Sequence, residues 1–401
     1  MDLRKEIKLS DLVPKRRSRK AGTEAEVRTK TKVKAKKAAK GKSGGTSEIV
    51  GLKVGATGIS AAQIVNNGGR QVVRIARTSL PHGVVDGGEV RDPAALGKAL
   101  TEFFAANSLP RRNVRLGLAN SRIGVRVIEV AGIDDEEQLE NAIGFRAHEM
   151  LSVSLDEAVI DYHVLSTETD DDGSVTRKVL LVVAYRDSVE RYLAATDAAK
   201  LDLTGIDLEA FALLRAVSEP VAVEEDAHPE AATTVVNIGH ERTTLAVSDS
   251  AVCSFARVLE WGGSEIGAAI SRALKVAPAE GESLKQGLSL EPGHERIEDL
   301  HDAKAAEAIE AVRYELQRLV RELLSSLRFH QSQPGSLAIG EIQLTGGTSG
   351  IPGLAAELEK ELGGIPVRLA DPLARVQLAD GVDLTDHPGA YAVALGLGIE
   401  D

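Results

Sequence analysis

The alternation of apolar and polar positions begins at Glu48 and divides the chain into short strands and longer helices. Glu48 to Val54, Ile59 to Val65 and Gln71 to Ser79 follow the pattern of strands, and the first two close on the tight turn Gly55-Ala56-Thr57-Gly58. The spacing predicts a helix over 93–108 and a strand over 113–118. A compact unit follows: strand 125–131, helix 134–151, strands 158–166 and 178–185, and helix 187–201. Gly205-Ile206-Asp207-Leu208-Glu209 leads into a helix over 210–218, and the Pro/Glu-rich 219–232 reads as a connector. The opening pattern then recurs as strand 233–237, turn 238–242, strands 243–248 and 251–260, and a helix over 264–276 begun by Gly262-Gly263. An amphipathic helix over 303–333 leads to a strand at 342–344 and to Leu344-Thr345-Gly346-Gly347-Thr348-Ser349-Gly350. A helix over 353–362, a strand and turn over 367–372 and a helix over 389–397 that returns to close the cleft complete the chain. Two copies of a hairpin-plus-sheet unit predict an α/β fold of two similar lobes with a cleft between them.

Composition narrows what such a chain does. At 401 residues it has room for two or more domains, and with 3% aromatics its cores are built from Leu, Val, Ile and Ala. No window approaches 18 consecutive apolar residues and charge begins at Asp2, so neither a membrane span nor a secretory leader is expected. Cys253 is the only cysteine, which excludes an intramolecular disulfide framework and a thiolate cluster and fits a reducing compartment. Net charge is −12, yet residues 1–46 carry 16 Lys/Arg against 5 Asp/Glu, which leaves −23 on the rest. An acidic body is not expected to bind specific nucleic acid. Residues 1–47 are expected to form a basic disordered tail, a solvated linker or one whose charge favours an anionic membrane, nucleic acid without sequence preference or an acidic partner, with Leu3 to Pro14 as a docking peptide on a tether. Asp170-Asp171-Asp172-Gly173 lacks the spacing and closing Glu of a calcium loop and reads as a hairpin tip.

Chemistry concentrates in the glycine turns. Paired glycines between a strand and a helix permit positive φ and remove Cβ, so a ligand can approach backbone N–H groups at Gly346-Gly347. The turns at 55–58 and 238–242 offer backbone amides to a phosphate in the manner of an anion nest. Each also reads as a plain tight turn.

In this order the three loops resemble the phosphate-one, phosphate-two and adenosine motifs of the actin-like ATPase superfamily, and most of all the PilM family of type IV pilus assembly. The resemblance covers 48–400. It is carried by Gly51-Leu52-Lys53-Val54-Gly55, Val159-Ile160-Asp161-Tyr162, Gly205 to Arg215, Trp261-Gly262-Gly263, Ser326 to Gln333 and Leu344-Thr345-Gly346-Gly347. It implies two ribonuclease-H-like lobes: 48–123 with 205–231, closed by a C-terminal helix at 386–400, and 232–385. A small α+β subdomain is inserted at 124–204, as in the related FtsA family. It implies ATP, with Mg2+, between the lobes. Gly55, Ala56 and Thr57 would line the phosphates from one side and Gly239, His240 and Glu241 from the other. Gly262 and Gly263 flank them, Gly346, Gly347 and Thr348 back the adenosine, and Glu282 and Lys285 lie over base and ribose.

Two positions depart from the superfamily, which has acids where this chain has Lys53 and Asn237. Those acids help hold the hydrated metal, so binding with weak or absent hydrolysis is expected, and neither a metal ligand nor a catalytic residue is assigned. The family implies a scaffold at the cytoplasmic face of the inner membrane, of a pilus or a related type II secretion system. It captures the N-terminal peptide of PilN and reaches PilO through it. Phe145, Met150, Leu151, Val159 and Tyr162 are apolar candidates for that contact, and Ile7 to Pro14 resembles the PilN signature, so the tail itself is a candidate for its own or a neighbour's groove, through self-association. The alternatives are an FtsA-like division protein, whose C-terminal membrane helix this chain does not show, and a small-molecule kinase of the same superfold, for which no carboxylate base is evident.

Overall fold

The computed structural model describes residues 47–133, 135–151, 154–169, 174–218, 231–249 and 252–400. The docking peptide and tail up to residue 46, the tip at 170–173 and the connector from 219 to 230 lie outside the described residues. In chain order, β1 (Ser47–Val54), β2 (Gly58–Asn66), β3 (Arg70–Ser79), β4 (Val85–Asp86) and β5 (Glu89–Val90) precede α1 (Pro93–Ala106). β6 (Val114–Leu118) and β7 (Ile123–Ala131) lead to α2 (Glu136–Leu151), β8 (Ala158–Thr169), β9 (Val175–Tyr185) and α3 (Arg186–Ala198), then to β10 (Leu203–Leu208) and α4 (Glu209–Val217). The second half holds β11 (Ala232–Ile238), β12 (Thr243–Asp249), β13 (Val252–Leu259), α5 (Gly263–Leu274), α6 (Pro278–Gln286), β14 (Leu288–Ser289), β15 (Arg296–Ile297) and α7 (Asp302–Gln331). β16 (Ile339–Thr345), a 3-10 turn at Gly347–Gly350, α8 (Leu354–Glu361), β17 (Val367–Leu369), β18 (Gln377–Leu378) and α9 (Ala392–Gly398) complete it.

Two sheets share one plan. In the first, β1 pairs antiparallel with β2 and parallel with β6, in the order β10-β6-β1-β2-β3-β18. In the second, β11 pairs antiparallel with β12 and parallel with β16, in the order β17-β16-β11-β12-β13. The register makes the duplication residue-specific. Lys53 stands opposite Ser60 and Gly117, and Asn237 opposite Thr244 and Thr345, so the two hold the same place in each copy. The duplicated α/β architecture anticipated from the sequence is present.

Several features go beyond the hydrophobic pattern. The second sheet continues past β13 into β7, β9 and β8, joined by the pairs Phe255–Arg126 and Ala256–Val125. α3 packs on α1, so Val189, Tyr192 and Ala195 belong to the same core as β1 and β6. β10 forms where only a lead-in was read, because Gly205 to Leu208 are all buried and show no alternation. α6 starts with Pro278 at its first turn, where the missing N–H costs nothing. α7 buries Ala305, Ala308, Ile309, Val312, Leu316 and Leu319 at helical spacing against the second lobe.

Between the sheets lies a small-residue core in which α4 and α9 cross. Ala210, Ala212 and Leu213 of α4 meet Ala392, Val393 and Leu397 of α9, together with Val235 of β11 and Ala246 of β12. The helices approach so closely that a Cβ on Gly396 would lie 1.8 Å from the Ala212 carbonyl oxygen. On its other side α9 rests on β1, where a Cβ on Gly51 would lie 2.1 Å from the Ala394 oxygen. Gly51→Ala is therefore expected to lower stability by about 3 kcal/mol through overpacking. Gly69→Ala, whose Cβ would meet nothing within 4 Å, should stay within about 0.5 kcal/mol. Urea unfolding midpoints of the two variants check this.

Candidate functional site

The two long hairpins end in equivalent turns. Gly55 N–H donates to the Gly58 oxygen at 2.8 Å, and Gly239 N–H donates to the Arg242 oxygen at 2.8 Å. Both turns are part-exposed at the ends of otherwise buried strands.

Around the second turn the residues singled out in the sequence assemble. The first N–H groups of α5 hold the turn: Gly263 N–H donates to Gly239 O at 2.9 Å and Ser264 N–H to His240 O at 2.7 Å. Thr348 Oγ1 donates to the same Gly239 oxygen at 3.0 Å. From α6, Lys285 Nζ donates to Gly263 O at 3.1 Å and to Glu282 Oε1 at 2.5 Å, and Glu282 lies 3.5 Å from His240 Nδ1. α6 comes this near because Gly267 and Gly281 face each other; a Cβ on Gly281 would lie 2.5 Å from the Gly267 oxygen. Burial draws the His240 imidazole below its ordinary pKa against the opposing pull of Glu282, which leaves it neutral at pH 7.

The first lobe contributes a different chemistry. Lys53 Nζ stands 3.9 Å from Glu209 Oε2, and Glu209 is buried at the first turn of α4. Its equivalent Asn237 is 2% exposed, and among the described residues its Oδ1 is buried without a hydrogen-bond partner.

The tip of the second turn also crosses to the first lobe. Glu241 Oε2 accepts from Gly87 N–H at 3.0 Å, so this carboxylate points at the first lobe. Arg242 Nη1 donates to Ala119 O at 2.9 Å, beside Gly88, where a Cβ would lie 2.4 Å from Arg242 Nη2. Tyr192 Oη donates to Gly88 O at 3.1 Å and ties α3 into the same contact. Burial draws the Arg242 pKa down from its ordinary value, yet a guanidinium stays charged at neutral pH. Glu209 and Arg242 are functional candidates that the sequence did not single out by role; an acid opening an apolar helix was the available signal for Glu209.

The glycines divide into two kinds. Gly346 needs its residue type, since its φ is 98° and a Cβ would lie 2.3 Å from Ile238 O. Gly262 and Gly263 are packed against the second turn and Thr348. Gly347 has an ordinary φ, is exposed, and a Cβ there would meet nothing within 4 Å. Neither conformation nor packing accounts for a glycine at that position. Gly55 is similar, with only an ordinary 3.4 Å contact.

A second feature is a small apolar groove where the first sheet, β7 and the β12–β13 hairpin meet. Leu118, Val125 and Leu208 are its buried floor, Ile123 and Val258 its half-exposed rim, and Arg257 lies at its edge. The apolar candidates named from the sequence stand elsewhere. Phe145 is 61% exposed on α2, Val159 is buried in the first core, and Tyr162 is half-buried in the core under α2. The side chains of Met150 and Leu151 lie outside the described residues.

The family described as type IV pilus assembly protein PilM matches residues 51–401. Among solved structures, the chain is similar to the PilM–PilN type IV pilus biogenesis complex, at 24% identity over 88% of this chain and 98% of that one, with a TM-score of 0.73. It is also similar to the ethanolamine utilization protein EutJ from Carboxydothermus hydrogenoformans, at 15% identity over 88% and 90%, with a TM-score of 0.50. The fold is thus the two-lobed actin-like one, and among the described residues no helix is long and apolar enough to cross a membrane. With residues 51–401 matched, the chain belongs to the PilM family of type IV pilus assembly proteins.

Proposed function

We propose that the chain is a nucleotide-binding scaffold of the pilus platform, in which ATP between the lobes sets the conformation that captures the N-terminal segment of PilN. The observation that carries the nucleotide is Gly347, an exposed glycine that neither backbone strain nor packing requires. A flat base or ribose fills the space a side chain would take. Gly55 offers the same open edge to phosphate, and Lys53 supplies the countercharge, as a compact ammonium does for phosphate oxygens.

The donor set does not suit a resident Mg2+. Such an ion is held by carboxylates and substrate phosphates. At the two equivalent strand ends this chain has an ammonium and an amide, and the nearby carboxylate of Glu209 already faces Lys53. Turnover by metal-assisted attack is therefore weak or absent, and the lysine stands where charge neutralisation is needed.

The PilN segment is assigned to the apolar groove lined by Leu118, Val125, Leu208 and Val258. This groove abuts the turn of the second lobe through Ala119, whose carbonyl Arg242 holds. Capture of PilN, and of PilO through it, places the chain at the cytoplasmic face of the membrane, where the basic tail meets anionic lipid.

Isothermal titration of the full chain with ATP should show binding without added magnesium and no phosphate release. Lys53→Asp should bind at least tenfold more weakly without the metal and regain affinity with it. Absence of ATP binding at millimolar concentration by either form sinks the nucleotide reading. Gly347→Ala should leave the unfolding midpoint unchanged and weaken ATP by about tenfold, a split that a merely structural glycine does not produce. A labelled PilN N-terminal peptide should lose binding on Val258→Glu and keep it on Phe145→Ala, read by fluorescence polarisation.

A further inference from the structure

The apolar groove has a candidate occupant within the same chain. Ahead of β1 the large apolar residues are concentrated in Leu3, Ile7, Leu9, Leu12 and Val13, closed by Pro14; from 15 to 46 only Val27 and Val33 follow. A short apolar strip at the end of a polar, charged stretch has no core of its own to join. We propose that residues 3–14 occupy the groove in cis, as a strap that an incoming peptide must displace. This rests on the reading of the groove as a peptide site.

Reach and charge both favour a cis occupant. β1 runs parallel to β6 with Val50 opposite Val114 and Lys53 opposite Gly117, so Ser47 lies roughly 25 Å along the sheet from Leu118. The 32 residues from 15 to 46 span roughly 30 Å as a flexible chain, which covers that distance without being stretched. Those residues carry 13 Lys/Arg against 2 Asp/Glu, while residues 47–401 carry a net −23. The tether is thus opposite in charge to the rest of the chain.

Tethering sets the size of the effect. A linker of this length gives an effective concentration on the order of 1 mM. A strap whose free peptide binds at about 100 μM then lowers apparent affinity for a competing peptide about tenfold. Occupied and open grooves are two states of one chain, and a partner peptide binds only the second.

The test uses the full chain and a Leu9→Asp/Leu12→Asp variant, each titrated with a labelled synthetic peptide of residues 1–14. The variant should bind the peptide about tenfold more tightly than the parent, and Ile123→Glu or Val258→Glu in the variant background should abolish binding while retaining its unfolding midpoint. Equal affinity for parent and variant overturns the strap, as does loss of a concentration-dependent dimer in the variant, which puts the segment in a neighbour's groove. A labelled PilN peptide run in parallel separates the two readings. If it binds the variant and the 1–14 peptide does not, the strap fails and the peptide site stands; if neither binds, both fail.

Discussion

The close crossing of α4 and α9 is the constraint on which the rest depends. Two sheets of the same plan do not by themselves make a cleft; something thin must lie between them so that their strand ends stay near each other. Gly396 against Ala212, and Gly51 against Ala394, let two helices fit where larger residues would force the sheets apart. Glycines in a helix sacrifice intrinsic stability, roughly 0.5–1 kcal/mol each. Burial of every residue of α9 offsets it, and Arg115, which donates to the Leu397 and Ile399 oxygens, secures the helix end to β6. The chain just before α9 also supports the second lobe, since Gly346 N–H donates to Gly389 O. One short segment thereby fixes the floor of the cleft on both sides.

With the floor fixed, the second turn does two jobs. Its backbone at Gly239 and His240 is held by α5 and Thr348 from its own lobe, while its side chains at Glu241 and Arg242 grip Gly87 and Ala119 of the other. A ligand that moves this turn by a fraction of an ångström disturbs both contacts, because the positions around Gly88 leave no slack. Ala119 borders the apolar groove, so the turn and the groove share a wall. On the proposed reading, this is a physical route by which occupancy of the cleft reaches the peptide site.

Legibility in the sequence followed the kind of partner each residue has. The hairpins, α1, α7 and the glycine turn at 346–347 were readable because period and turn chemistry are properties of neighbouring residues. β10 was not, because burial on both faces erases alternation, and the joining of β7 to β13 was not, because two ladder pairs leave no pattern. Glu241 and Arg242 were hard to place because their partners are the Gly87 N–H and the Ala119 carbonyl, groups that every residue carries. The groove escaped for another reason: its lining comes from β6, β7, β10, β12 and β13, which the chain visits far apart. Phe145 on α2 was the nearer guess and is not among the residues that line it.

The equivalence of Lys53 and Asn237 shows how much of the chemistry rests on two side chains. The resemblance implies acids at these two strand ends, where they help hold a hydrated metal. Here one end is an ammonium beside a single buried carboxylate, and the other a neutral amide. On the proposed reading, the ammonium offsets the carboxylate before any ion arrives, so the approach of phosphates to this strand end does not depend on a cation. On the same reading, what is given up is the positioned, metal-polarised water that cleavage needs. On that reading, the partner is held with a nucleotide that stays rather than with one that is consumed. The lysine favours that outcome at the level of elementary electrostatics.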